Sequence, residues 1–370
     1  MASVLFSSIK LRELTLPNRI VVSPMCQYNS DDGSANDWHL MHLGSMSLGA
    51  AGLVMTEMTN VSPVARISPR CAGLWSDENE AALRRVLQFC RTYGVANLGV
   101  QLAHAGRKGS SHPPAAGGKP LTAAEGAWQT LGPSALPFAA DWPAPRAMTA
   151  EDIRDVIDQH VSSVRRAQNI GYDLVEVHGG HGYLVHQFLS PISNQRTDEY
   201  GGGLENRIRF PVQLFTAMRA AWPAEKPMGM RISATDWIEG GWNPDEAVVL
   251  AKALKAAGCD YVDVSSGGLD MRQQIVLAPS YQTGFSARIR READITTMTV
   301  GLIDKPEQAE GIVAEGQADM VALARGALYD PRWAWHAAEA LGAETAYAPK
   351  LRMCQPSLRP QLFPNHRRAP

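Results

Sequence analysis

At 370 residues the chain is longer than most single cores, a length that a barrel with insertions absorbs. Hydrophobic residues make up 45% and charged residues 19%, and a net charge of −2 with mixed signs gives no reason to expect nucleic acid or an anionic membrane surface as partner. No apolar run reaches the roughly 18 residues of a membrane span, residues 1–10 lack a secretory pattern, and the five scattered cysteines (26, 71, 90, 259, 354) argue against a disulfide framework and for a reducing cytoplasm.

In chain order the sequence alternates short apolar runs with helix-like spacing. A strand over 19–25 precedes a helix over 36–49, and a strand over 52–61 precedes a helix over 76–93. The third strand, 96–103, is followed by residues 107–147, rich in Gly, Pro and Ala and without helical period. A segment of that length fits a functional lid, so it is expected to cap the site, carrying Trp128 and Trp142. A helix over 150–170 follows, with Thr149 and the acids Glu151 and Asp152 at its start and Gly171 at its end. Next come the strand 173–177, a helix 205–222, the strand 228–233 and a helix 245–258 that begins at Asn243-Pro244-Asp245-Glu246 and ends at Gly258. The strand 261–265, helix 281–293, strand 297–300, helix 306–317, strand 319–324 and helix 331–342 complete the rhythm. Residues 343–370 read as an irregular tail with Arg352, Arg359, Arg367 and Arg368.

Eight such alternations imply an α/β fold with a parallel sheet under helices, and the count favours a closed (β/α)8 TIM barrel over an open doubly wound sheet. Residues 1–370 are then one domain, with 107–147 inserted after strand three. Closure places function on the loops after the strands. Those ends carry Cys26, Gln101–His104, His178–His181, Arg231 and Arg325.

The strongest constellation is His178-Gly179-Gly180-His181-Gly182-Tyr183. Two imidazoles can donate hydrogen bonds to one oxygen and a phenol can deliver a proton, while the glycines allow close approach of a ligand. Packing at a strand end is the bland alternative. A metal is disfavoured, because a His-x-x-His pair needs a third ligand and none accompanies it. His39 and His42, beside Trp38 in a helical stretch, read as structural. In Ser23-Pro24-Met25-Cys26-Gln27-Tyr28, Pro24 stops strand pairing, and Cys26 is a nucleophile, a redox thiol, a hydrogen-bond partner or an inert apolar residue. The amide of Gln101 can pair with a pyrimidine-like ring edge. Arg231, alone on an apolar strand, needs an anion to meet it, which makes it a candidate for negative charge on a cofactor. Gly301 and Arg325-Gly326 end strands seven and eight, where barrels commonly bind phosphate. There is no Gly-x-Gly-x-x-Gly after a strand, no Walker loop and no Gly-x-Ser-x-Gly elbow.

In this order the pieces resemble the Old Yellow Enzyme family, and within it the bacterial thermophilic-like ene-reductase branch. The resemblance runs through Ser23–Tyr28, Gln101–Lys108, His178–Leu184, Arg196–Gly202, Glu205–Arg207, Arg231–Asp236 and Leu323–Gly326, and so covers nearly the whole chain. It implies FMN, bound tightly but non-covalently at the barrel mouth by Ser23, Pro24, Met25, Cys26, Met58, Gln101, Arg231, Gly301, Ala324 and Arg325, and NADPH as reductant on the same flavin face. It further implies that His178 and His181 bind the oxygen of an enone, enal or nitroalkene and that Tyr28 clamps it. Hydride then passes from flavin N5 to Cβ and Tyr183 protonates Cα. Cys26 would tune the flavin. Arg352 and Arg359 both compete for the position from which branch members reach into a neighbouring subunit, and a homodimer or homotetramer is implied. An iron–sulfur relative such as a dienoyl-CoA reductase would need clustered cysteines after the barrel, where only Cys354 lies. Rivals of other classes are a flavin-binding barrel without turnover, serving as sensor or store, and a cofactor-free isomerase or lyase.

Overall fold

Strand-forming runs separated by capped helices can bury both faces of a parallel sheet, and the computed structural model, which describes residues 2–359, does so in a closed ring. The chain opens with a hairpin, β1 (Ile9–Leu11) and β2 (Leu14–Leu16), and then enters the ring with β3 (Ile20–Val22). There follow α1 (Asp37–Ser47), β4 (Leu53–Asn60), α2 (Asp77–Tyr93) and β5 (Asn97–Ala103). Between β5 and α3 (Ala150–Ile170) lie three single 3-10 turns and a minimal ladder of β6 (Leu131–Gly132) with β7 (Arg146–Ala147). The remainder runs β8 (Leu174–Gly179), α4 (Leu184–Leu189), α5 (Leu204–Arg207), α6 (Arg209–Ala221), β9 (Met228–Ser233), α7 (Pro244–Ala256) and β10 (Tyr261–Ser265). It ends with α8 (Thr283–Ala293), β11 (Thr296–Thr299), α9 (Pro306–Ala314), β12 (Met320–Leu323), α10 (Arg325–Tyr329) and α11 (Trp333–Leu341). The ring order is β3-β4-β5-β8-β9-β10-β11-β12, every pairing is parallel, and β12 closes on β3 with Val21 opposite Ala322.

Local chemistry explains the helix ends. Thr149 accepts from the Asp152 amide while the Asp152 carboxylate accepts from the Thr149 amide, and Gly171 closes the helix at φ 99°. Asn243 accepts from the amides of Asp245 and Glu246.

The period of two along each strand sorts the core into two faces. Outward residues such as Val175, Val177, Met230, Val262 and Val264 pack under the helices. Inward residues Met55, Leu174, Tyr261, Met298 and Met320 join Leu11 and Leu16 of the hairpin, so the hairpin fills one end of the barrel. Higher in the same inward rows the side chains turn polar: Glu176 and His178 above Leu174, Asp263 and Ser265 above Tyr261.

The structure departs from expectation in several places. The first strand stops at Val22, before Pro24, and the last is confined to Met320–Leu323. The helix expected over 205–222 is broken at Ile208 into α5 and α6, and α11 begins only at Trp333, preceded by the short α10. The hairpin, α4 and α10 carried too few residues for a periodic signal. The tail holds 3-10 turns at Pro349–Cys354 and Pro356–Leu358, with Arg352 exposed, while Arg367 and Arg368 lie outside the described residues. Among the described residues, no helix is long and apolar enough to cross a membrane and no group of His, Cys, Asp or Glu is placed to hold a metal ion.

Candidate active site

The end of β8 and the loop that follows it to α4 carry His178, His181 and Tyr183 across the barrel mouth, and the glycines there explain how. A Cβ on Gly180 would lie 2.9 Å from the Ser233 nitrogen, and one on Gly182, at φ 73°, would lie 2.2 Å from the Gly268 carbonyl oxygen. The loop therefore rests directly on the backbone at the end of β9 and just after β10. His181 is held at φ 55°, an uncommon conformation for a residue with a side chain. Its amide donates to Ser233 Oγ at 2.9 Å, and Ser233 Oγ in turn donates to the Gly267 carbonyl at 2.8 Å. Beneath it, the Gly182 amide donates to His186 Nδ1 at 2.9 Å, and His186 Nε2 faces Asp236 Oδ1 at 2.9 Å in a fully buried pair. Lys108 completes the support: its ammonium donates to the carbonyls of His181 and Gly268, both at 2.9 Å.

His178 and His181 meet edge to face, ring centroids 5.1 Å apart, and Tyr183 packs against His178 at 4.9 Å. Burial is the main influence lowering both imidazoles well below their ordinary value, with the Arg231 charge next, so both are neutral at neutral pH. The Tyr183 phenol is pushed well above its ordinary value by burial, then by Cys26, Tyr28 and Cys71, so it keeps its proton. Lys108 Nζ lies 5.1 Å from the Tyr183 ring, and Phe138, from the segment after β5, covers Lys108 at 4.7 Å.

Cys26, Tyr28 and Tyr183 pack together against Met58, Ile67, Cys71, Ala103 and Ala105. Burial, followed by the charges of Cys71 and Glu57, raises the Cys26 thiol well above its ordinary value. It remains a thiol rather than a thiolate nucleophile. Tyr28, at φ 51°, turns the chain there. Met25 behaves differently: its side chain packs against the outer core cluster, beside His39, His42 and Leu43. His39 and His42 are remote from the His178 pair. His39 Nε2 faces Glu57 Oε1 at 3.1 Å, and Glu57 Oε2 accepts from the Gln27 amide at 2.9 Å, which secures the loop carrying Cys26.

Below the histidines, Gln101 Nε2 donates to Glu176 Oε1 at 2.8 Å and the Tyr261 hydroxyl donates to Glu176 Oε2 at 3.0 Å. Arg231 is not the lone cation its apolar strand implied. Asp263 Oδ2 lies 3.1 Å from Arg231 Nε across the β9–β10 pairing, and both are buried. The anion that meets this arginine is therefore supplied by the protein at one edge of the guanidinium. Another part of Arg231 lines a cavity of about 560 Å³ shared with Ser265, Gln282, Gly301, Ala324 and Arg325. Gly301, at φ 126°, leaves room for the Gln282 amide, since a Cβ there would lie 2.8 Å from Gln282 Nε2. Ser23 is buried at the foot of the mouth, its amide on the Leu323 carbonyl and its Oγ without a protein partner. Two cations, a glycine cradle and an orphaned hydroxyl fit a large phosphorylated heterocycle.

The sequence matches the model of the NADH:flavin oxidoreductase / NADH oxidase family over residues 4–344. The chain belongs to this family. It is the Old Yellow Enzyme family that the motifs resemble, and FMN as cofactor with NADPH as reductant comes with membership. An NADPH dehydrogenase from Geobacillus sp. (strain WCH70) is 42% identical over 92% of this chain and 96% of its own, and one from Bacillus subtilis (strain 168) is 37% identical over 93% and 97%. Among solved structures, morphinone reductase superposes with a TM-score of 0.77 at 27% identity, covering 95% of this chain and 93% of that one. A 2-naphthoyl-CoA reductase complex matches with a TM-score of 0.80 at 25% identity over 89% of this chain, which spans about half (51%) of that longer protein. This Old Yellow Enzyme family member is thus an NADPH:flavin oxidoreductase built on a (β/α)8 barrel.

Sequence reasoning passed over Lys108, Glu176, Ser233, Asp236, Asp263, Ser265 and Gln282. The available signal was the strand period: Leu174, Glu176, His178 and Tyr261, Asp263, Ser265 each run from apolar to polar along one face.

Proposed function

We propose that this flavoenzyme reduces C=C bonds activated by a carbonyl or nitro group, as in enones, enals and nitroalkenes. The reading rests above all on one observation: a protonated phenol, Tyr183, packed edge-on against His178, the first of a neutral, buried histidine pair. Ser23, Pro24, Cys26, Met58, Gln101, Arg231, Gly301, Ala324 and Arg325 hold FMN in this scheme, with Met25 contributing backbone. Bound there, FMN would supply the redox chemistry, as acceptor of hydride from NADPH and its donor to Cβ of the substrate.

The protein's own groups do the rest. His178 and His181 hold the substrate oxygen and stabilise the charge that develops on it; one such donor is worth about 2.7–4 kcal/mol in other enzymes. Tyr28 limits how the substrate lies, and Tyr183 delivers its proton to Cα. Cys26 acts on the cofactor's electronics as a thiol. Residues 107–147 cap the site within a single domain, which works in the cytoplasm as a homo-oligomer.

Tyr183→Phe tests the assignment. Bleaching by NADPH should proceed near the parent's rate, since that step needs no proton from the phenol. The return of yellow colour on adding cyclohexenone should slow by roughly 10²–10⁴, the range for loss of a general acid. Stopped-flow traces in which the NADPH step slows and the enone step is spared would overturn the role of Tyr183.

A further inference from the structure

The histidine pair is the start of a directed chain of hydrogen bonds, and the direction can be worked out from the ends. At one end the Gly180 amide donates to His178 Nδ1 at 3.3 Å. A neutral His178 therefore carries its proton on Nε2, which faces His181 Nδ1 at 3.4 Å. At the other end Gln282 Nε2 donates to the Val300 carbonyl at 2.8 Å, which turns Gln282 Oε1, an acceptor only, toward the serines after β10. Ser266 Oγ donates to it at 2.6 Å and Ser265 Oγ at 3.3 Å. With its own proton on Gln282, Ser265 Oγ accepts from His181 Nε2 at 2.7 Å. His181 then has a bare Nδ1, which accepts from His178. In this arrangement the pair offers an arriving oxygen one proton, and that proton is already engaged between the rings.

One rotation changes this. If the Ser265 hydroxyl turns from Gln282 to His181 Nε2, the imidazole must carry its proton on Nδ1. Two N–H groups then point into the same gap, unfavourable when empty and matched when an oxygen sits between them. The link that must break, Ser265 to Gln282, is the longest among the serine and glutamine bonds, and Gln282 Oε1 keeps Ser266 as a donor.

We propose that Ser265 is a positioning residue that sets which nitrogen of His181 carries the proton, and that a substrate oxygen draws the Ser265 hydroxyl from Gln282 to His181. Protons balance: Nε2 releases one to water, Nδ1 takes one from water, and the serine proton only rotates about Cβ–Oγ. The ligand half of this proposal rests on the reading of His178 and His181 as the oxygen-binding pair.

The experiment is nitrogen-15 NMR of histidine-labelled holoenzyme, with and without phenol as an oxygen-donor probe. In the free protein His181 should be protonated on Nε2, and phenol should move that proton to Nδ1 while His178 stays protonated on Nε2. Ser265→Ala should leave the free protein with a mixture of His181 tautomers. It should also weaken phenol by about tenfold, the factor that one hydrogen bond's worth of binding carries. Ser265→Thr, which keeps the hydroxyl, should restore both. Gln282→Leu removes the competing acceptor and should shift the free protein toward Nδ1–H, an opposite effect that loss of packing alone does not produce. An unchanged His181 tautomer in Ser265→Ala, or Nδ1–H already present in the free parent, overturns the relay. If phenol moves neither histidine signal, the oxygen-binding reading fails, and the free-protein comparison still decides the part played by Ser265.

Discussion

Arg231 and Asp263 face each other across paired strands in the barrel interior, with Glu176 close by, so any change at the arginine acts on buried carboxyls as well as on a cofactor. Burial pushes both carboxyls up; for Glu176 the Asp263 charge adds to the rise, and Arg231 opposes it at both. Arg231→Leu removes the cation and should cost about 3–5 kcal/mol of stability, as breaking a buried pair does. A carboxyl whose folded-state value is raised stabilises the fold while protonated and loses that contribution as pH rises through the folded value. The Arg231→Leu defect should therefore be larger at pH 8 than at pH 5, read as the difference in melting temperature from the parent. Arg231→Leu/Asp263→Leu should recover most of the lost stability and still bind FMN weakly. Recovery of both would mean that Arg231 serves only to neutralise Asp263. The sequence exposed Arg231 as an outlier on an apolar strand but not its partner, because Asp263 is brought opposite it only by strand register. The same holds for Ser265 and Gln282, whose bond to one another depends on how the loop after β10 folds back. His178, His181 and Tyr183 were legible because one strand end and the loop after it carry all three within six residues.

At the scale of elements, the loop joining β8 to α4 is over-determined. Ser233, Lys108 and His186 each hold a different backbone group of it, and Gly182 has no room for a side chain. Gly182→Ala in place would both hold a strained φ and collide with the Gly268 carbonyl, so the loop has to move, at a cost of roughly 1–3 kcal/mol. The displaced histidines should then bind phenolic ligands far more weakly while FMN stays bound, since none of the proposed FMN contacts lies on this loop. Phenol titration followed by absorbance, alongside a count of bound flavin, checks this. Unchanged phenol affinity would mean that the loop is not a precise mount. Long periodic elements such as α2 and α3, and strands such as β5, β9 and β10, were legible almost residue for residue. The short ones were not. Two turns of α4 and the three-residue strands of the hairpin are too brief for a period to repeat, and their places follow from what they pack against.

For the molecule as a whole, chemistry and stability lie at opposite ends of one barrel. The mouth is polar and strained, whereas the far end is filled by Leu11 and Leu16 against Met55, Met298 and Met320. Leu16 is fully buried, so Leu16→Ala should destabilise the protein by about 2–5 kcal/mol, as cavity-forming changes do. At temperatures well below melting, NADPH oxidation should be unaffected, since none of the reacting groups touches that end. Denaturant titration and a steady-state assay separate the two effects; a proportionate loss of turnover in the folded variant would show that the ends communicate.

The closing pair of the ring has a consequence for how the chain reaches this state. Val21 and Ala322 are neighbours in the sheet yet about 300 positions apart in the chain, and Glu310 of α9 accepts from the amides of Val4 and Leu5. These are among the most non-local contacts a chain of this length can make, and loop closure makes such contacts slow to form. Until β12 arrives, β3 and β11 each present an unpaired strand edge, the template on which aggregation begins. A chain interrupted before Met320 should accordingly be sticky rather than merely inactive, and the final strand acts as the latch that turns an open curl into a sealed ring.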